Sequence, residues 1–250
     1  MDYDFSGKVK AIETRRYFGL NELEPVDVFK ILRDCLDVHI VYKPLESKVS
    51  GFFLRNGKLQ IVLINTAKSW GHQRFTAAHE LFHLRYDEGL SHRVCTTGRF
   101  DKNIQEIERE ADYFASNFLL PADGVADRIY KYHKGKKERL TMGDLIDLEQ
   151  YFNVSHQALL TRLQILKYIT PLDSNKLRDG VISTARLLGY SVDLYKPTNE
   201  DKLLSSYAKD AKAALEKGLI TEGKYEQLLL EAGYADLLYG VEEVDFDEDI

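Results

Sequence analysis

The stretch RFTAAHELFHLRYDE, residues 74–88, sets His79 and His83 four apart with Glu80 beside the first. Side chains four apart project from one face of a helix, so both imidazoles can reach a single ion. Glu80 is turned by one residue, which aims its carboxylate at a water activated by that ion instead of at the ion itself. Phe75, Ala78, His79, Phe82, His83 and Tyr86 recur at helical spacing and form an inward stripe. A buried imidazole without a partner costs free energy. One histidine in such a stripe is ordinarily a hydrogen-bonded core residue; two with a glutamate at this spacing point to Zn2+.

A catalytic zinc takes three protein ligands and keeps a fourth position open. The extended pattern HExxHxxGxxH is not met, because Tyr86 and Gly89 stand where its glycine and last histidine would be. The segment 103–120, NIQEIEREADYFASNFLL, reads as a helix stopped by Pro121. Its apolar stripe is Ile104, Ile107, Ala111, Ala115 and Phe118. Glu108 lies on the stripe, whereas Glu106 and Glu110 are each about 200° away at 100° per residue. Glu108 is therefore the expected third ligand. Asp112, one turn on, is placed to accept the free ring N–H of a zinc-bound histidine. Glu80 is the expected general base, taking a proton as water attacks a carbonyl.

Elsewhere, residues 24–38 predict a helix with Pro25 in its first turn, followed by a strand at HIVYKPL. Residues 50–66, SGFFLRNGKLQIVLINT, predict a hairpin turning at Asn56-Gly57. Residues 141–168 carry two helical patterns broken at Asn153-Val154-Ser155, and the remainder is helical with turn signals at Gly189, Pro197, Gly218 and Gly233. The fold class is α+β: a small sheet with a hairpin packed on the two site-bearing helices, then an all-helical C-terminal region. The division expected is a metal-bearing domain over 1–125, a basic linker over 126–140, a helix-turn-helix-like element over 141–170, a helical region over 171–240, and an acidic, disordered tail over 241–250.

Hydrophobic residues at 44% and charged residues at 30% are an ordinary globular balance. No apolar run approaches the roughly 20 residues that span a bilayer. The opening MDYDFSGKVK has acids where a secretory leader has bases, so the cytoplasm is expected. Cys35 and Cys95 form no CxxC pair and are expected to be reduced, structural thiols. A net charge of −6 argues against a broad nucleic-acid surface. The second helix of the helix-turn-helix-like element is expected to expose His156, Gln157, Thr161, Arg162 and Gln164, with Lys167 at its end. One arginine neutralises little phosphate, so direct DNA binding is disfavoured against packing on the metal domain or holding a substrate.

Three blocks, GFFLRNGKLQIVLINT, QRFTAAHELFHL and EREADYFASNFLLP in that order, resemble the ImmA/IrrE metallo-endopeptidases, zincins with a glutamate ligand. The resemblance is strongest over about 25–165 and continues faintly into 213–233, similar to the helical tails of some members. It implies a zincin-like N-terminal domain and a site-specific endopeptidase that cuts a helix-turn-helix repressor, often encoded nearby, to release its genes. It also implies zinc ligation by His79, His83 and Glu108, with Glu80 catalytic. One departure is Phe82, where relatives often have glycine; its ring either narrows the cleft or fills a larger core. Tyr113, His92 and Arg99 are candidates for a second electrophile, and the sequence does not choose among them. The rival reading is a non-catalytic, zinc-containing partner-binding protein of regulatory or toxin–antitoxin type.

Overall fold

Three of the apolar runs become strands of one sheet. The computed structural model describes residues 3–57, 59–87, 92–95 (backbone), 106–136, 138–204, 206–232, 234 and 238. Strands β1 (His39–Lys43), β2 (Gly51–Asn56), β3 (Leu59–Asn65), β4 (His92–Cys95) and β5 (Lys202–Leu204) lie in the order β4-β2-β3-β1-β5. Only β1 and β3 run parallel; the other neighbours are antiparallel. Alternate residues Ile40, Tyr42, Phe53, Val62 and Ile64 are buried on the helix-covered side. The last pair of the hairpin is Asn56↔Leu59, so Asn56, expected in the turn, is the end of β2. Gly57 takes φ +59 at the first loop position, as a mirror-image hairpin turn demands.

The helix expected over 24–38 begins later, at α2 (Val28–Lys30), and continues as a π-helical turn over Ile31–Cys35. Asp27 caps it by accepting the Lys30 N–H at 3.1 Å. Cys35 is a free thiol, as expected, and it is exposed. Helix α3 (Trp70–Tyr86) packs on β2 and β3 and is buried almost all round from Gly71 to Leu84. Helix α4 (Glu106–Leu119) lies against α3 on one side and against α1 (Tyr3–Tyr17) on the other.

Helix α1 has no apolar stripe to announce it, because its buried residues are Gly7, Ala11, Thr14 and Arg15. Gly7 lets the backbones close up: a Cβ there would sit 2.8 Å from the Phe114 nitrogen and 2.9 Å from the Glu110 oxygen. Polar groups do the rest. The buried Arg15 guanidinium donates to the Phe118 carbonyl at 2.9 Å and the Glu24 carbonyl at 3.1 Å, and burial lowers its pKa to about 10. Lys10 pairs with Glu110 at 2.7 Å, so the α4 face opposite Glu108 is covered as well.

Residues 126–132, read from the sequence as the start of a basic linker, are helical within α5 (Ala122–Tyr132). Val125 and Ile129, four apart, seat that helix on the core, and Arg128 donates to both carboxylate oxygens of Asp147 on the next helix at 2.8 Å. Helices α6 (Met142–Phe152) and α7 (His156–Ile165) follow, with Asn153 in the left-handed region at φ 54 and Ser155 capping α7. Their turn is packed against α3: a Cβ on Gly71 would meet the Ser155 nitrogen at 2.5 Å. Arg74 Nε donates to the Asn153 carbonyl at 2.9 Å. Arg162, expected at the surface, is buried, donating to the Leu120 carbonyl at 2.9 Å and Asn117 Oδ1 at 2.8 Å. Two helices joined by a short turn are present, and the arginine of α7 serves the core.

Helices α8 (Pro171–Lys176), α9 (Val181–Leu187), α10 (Tyr207–Glu216) and α11 (Glu222–Glu231) follow among the described residues. Between α9 and α10 the chain returns to the sheet. Trp70 N–H donates to the Lys196 carbonyl at 2.9 Å, Thr66 Oγ1 to the Glu200 carbonyl at 2.7 Å, and β5 joins the β1 edge. No helix among the described residues is long and apolar enough to cross a membrane. The acidic tail, 241–250, lies outside the described residues.

Gly71→Ala should destabilise the protein by about 1–3 kcal/mol, because the clash is with backbone and one element must shift. The check is a urea titration, in which the midpoint falls while the slope holds.

Candidate metal centre

Helix α3 supplies three of the expected residues and α4 the other two. His79, Glu80 and His83 are all buried, and Glu108 is mostly so, at 14% side-chain exposure. His79 Nε2 lies 3.2 Å from Glu108 Oε2, His83 Nε2 lies 3.4 Å from Glu108 Oε1, and the two Nε2 atoms are 3.1 Å apart. These three residues form a group whose ligand atoms lie within 4.8 Å of one another.

The far side of each ring is also held. His79 Nδ1 is 2.9 Å from Asp112 Oδ1, the contact expected from the sequence. His83 Nδ1 is 3.2 Å from Asp87 Oδ2, which the sequence reading missed. Asp87 lies just past the last turn of α3, four residues after His83, and that spacing is its only trace in the sequence. With both Nδ1–H groups donating to carboxylates, each Nε2 presents a lone pair toward the other and toward Glu108. Two imidazoles with one carboxylate are a donor set that a divalent metal takes readily. The residues present therefore fit a metal.

Strand β2 runs beside this helix, and its alternation decides what it offers. Gly51, Phe53 and Arg55 share one face. A Cβ on Gly51 would press on Thr76 Cγ2 at 2.6 Å and lie 3.2 Å from Glu80 Oε1, so the glycine makes room for the Glu80 carboxylate. Phe53 stacks on the His83 ring with centroids 5.5 Å apart at 17°. Arg55 reaches the carbonyls of Leu84 and Asp87. Phe82 is buried, 5.5 Å from the Phe114 ring and tilted against Tyr86, so it fills the core between α3 and α4.

Of the candidate electrophiles, Tyr113 has its Cβ beside Gly7 of α1, on a different face of α4 from Glu108. The His92 side chain and Arg99 lie outside the described residues. His72 sits two turns before His79 on nearly the same side of α3, but its Nε2 pairs with Ser50 Oγ at 2.9 Å and it does not join the group. Burial, with Lys68 nearby, lowers the His72 pKa to about 4.

The model of the M78 peptidase family, described as an IrrE N-terminal-like domain, matches residues 33–164. The chain belongs to this family. The M78 match contains all three residues of the candidate metal-binding group and ends within α7, so it takes in β1 to β4, α6 and most of α7 but not β5. A family of metallopeptidases and a convergent histidine–histidine–glutamate group agree on a metal site. No curated protein matches the chain.

His72 makes stability depend on pH with a definite sign. Its folded pKa of about 4 lies below the ordinary 6.5, so the unfolded chain binds the extra proton between those values. Stability should therefore rise with pH from about 4 to 6.5 and lose this contribution on acidification. Denaturant titrations across that window should show a shallower pH slope for His72→Gln than for the wild type.

Proposed function

We propose that this chain is a zinc-dependent, site-specific endopeptidase that cleaves a helix-turn-helix transcriptional repressor in the cytoplasm and so releases the repressor's genes. The observation that carries the reading is the convergence of His79, His83 and Glu108 on one point, with Glu80 next to His79 in a peptidase-family fold. His79, His83 and Glu108 are the zinc ligands in this reading, and Asp112 fixes the His79 ring through Nδ1. The choice of zinc follows from the donors: neutral imidazole and carboxylate suit it, and three such ligands with one open position are its catalytic arrangement. When bound, zinc supplies Lewis acidity that polarises a peptide carbonyl and brings the pKa of an adjoining water down to about 7.

The chain's own residues do the remaining work. Glu80 accepts the proton from the attacking water at its carboxylate and returns it to the leaving amide nitrogen. The gap at Gly51 lets that carboxylate stand where it does. Phe53 and Phe82 flank the His83 ring and keep water from its sides.

The repressor as substrate follows from the family resemblance. Recognition of DNA by the chain itself is disfavoured by the burial of Arg162, which removes the one arginine of α7 from any groove. A closed, structural metal in a non-catalytic regulatory complex calls for a fourth protein ligand, and among the described residues the group has three.

Glu80→Gln should keep stoichiometric zinc and still bind the co-encoded repressor while losing its cleavage by at least about a hundredfold. His83→Ala should lose the zinc. The measurements are metal analysis of purified protein and the length of the repressor in cells that express each variant. Equal cleavage by Glu80→Gln would end the general-base assignment, and zinc retained by His83→Ala would end the ligand assignment.

A further inference from the structure

We infer that Arg55 and Asp87 are positioning residues that hold His83 for the metal, so that strand β2 helps to set the affinity of the site. The inference rests on the metal reading of His79, His83 and Glu108. The two histidines are not supported alike. Asp112, which holds His79, sits in the middle of α4, where the helix itself fixes its Cα. Asp87, which holds His83, is the residue at which the backbone leaves α3, with φ −108 and ψ 71. Its carboxylate is only as well placed as the chain end that carries it.

At least three contacts among the described residues hold that end. The Asp87 N–H donates to the His83 carbonyl at 3.1 Å, the Asp87 carboxylate accepts from His83 Nδ1 at 3.2 Å, and the Asp87 carbonyl accepts from Arg55 Nη1 at 3.3 Å. Arg55 Nη2 donates to the Leu84 carbonyl as well, so one guanidinium bridges two carbonyls of the last turn. Those carbonyls carry the partial negative charge of a helix C-terminus, which a cation there stabilises. The planar fork matters, because an ammonium offers no fixed pair of donors. Two residues before Arg55 on the same face, Phe53 stacks on the His83 ring. The strand therefore touches His83 twice, on the ring directly and through Asp87. With Nδ1–H directed to Asp87, Nε2 is the nitrogen left for the metal, and the ring plane is fixed before the ion arrives.

The test is zinc affinity of the full chain, measured by competition with a chromophoric chelator, together with the visible spectrum of the Co2+ form at saturation. Asp87→Ala should weaken zinc binding by roughly 10–100-fold. Arg55→Met should weaken it several-fold. Asp87→Asn, which keeps an acceptor oxygen, and Arg55→Lys, which keeps the charge, should each recover part of the loss and stand in if the harsher variants do not fold. At saturation, the Co2+ bands of Asp87→Ala should shift, a change that loss of fold stability alone would not produce. Unchanged affinity and unchanged bands in folded Asp87→Ala and Arg55→Met would overturn the inference while leaving the metal site standing. A wild-type chain that binds no zinc in the same assay would overturn the metal reading too.

Discussion

The structure turns on two imidazole lone pairs and a carboxylate directed at one buried point. Such a group repels itself in water-poor surroundings, where Coulomb energies are several times larger than in solvent. A bound cation relieves that repulsion. Everything around it serves that arrangement. Helix α3 is buried on nearly every side because the sheet, α4 and the α6–α7 turn each take a share of it, and a helix enclosed in this way has little freedom to move its histidines.

The enclosure depends on close backbone contact as much as on apolar area. Gly7 admits α4 to α1, Gly71 admits the Ser155 turn to α3, and Gly51 admits Thr76 and Glu80 to β2. At each, a methyl group would collide with a neighbour. Buried guanidinium groups fasten the same layers: Arg15 ties α1 to the end of α4, Arg74 ties α3 to the α6–α7 turn, and Arg162 ties α7 to Leu120 and Asn117. Each donates to carbonyl or amide oxygens that would otherwise be buried without a donor, which is why these charged groups belong in an interior. The peptidase domain and the helix-turn-helix-like element thus share one core that runs from Ala11 to Ile169.

Much of this was legible in the chain. The spacing of His79, Glu80 and His83, the position of Glu108 on an apolar stripe, and the i,i+4 relation of Asp112 to Glu108 are local facts of helix geometry, and they require no knowledge of the neighbours. The strands at His39–Lys43, Gly51–Asn56 and Leu59–Asn65 followed from apolar runs in the same way. Helix α1 was hidden because its inward face is glycine, alanine, threonine and arginine. For the same reason Glu110 looked like a residue of the open face, when α1 covers it and Lys10 pairs with it. Arg162 read as exposed since a helical wheel cannot tell an arginine that reaches solvent from one that reaches a carbonyl.

The sequence alone determined which side chains could share a helix face, since that depends on a fixed 100° per residue. It thereby named the candidate metal-binding group and the class of chemistry it suits. Tertiary structure decided what stands behind those side chains: Arg55 from the sheet at the end of α3, Asp87 held to His83, and the α6–α7 turn closed against Gly71. These contacts join residues far apart in the chain or depend on how a helix ends, and periodicity carries no information about either.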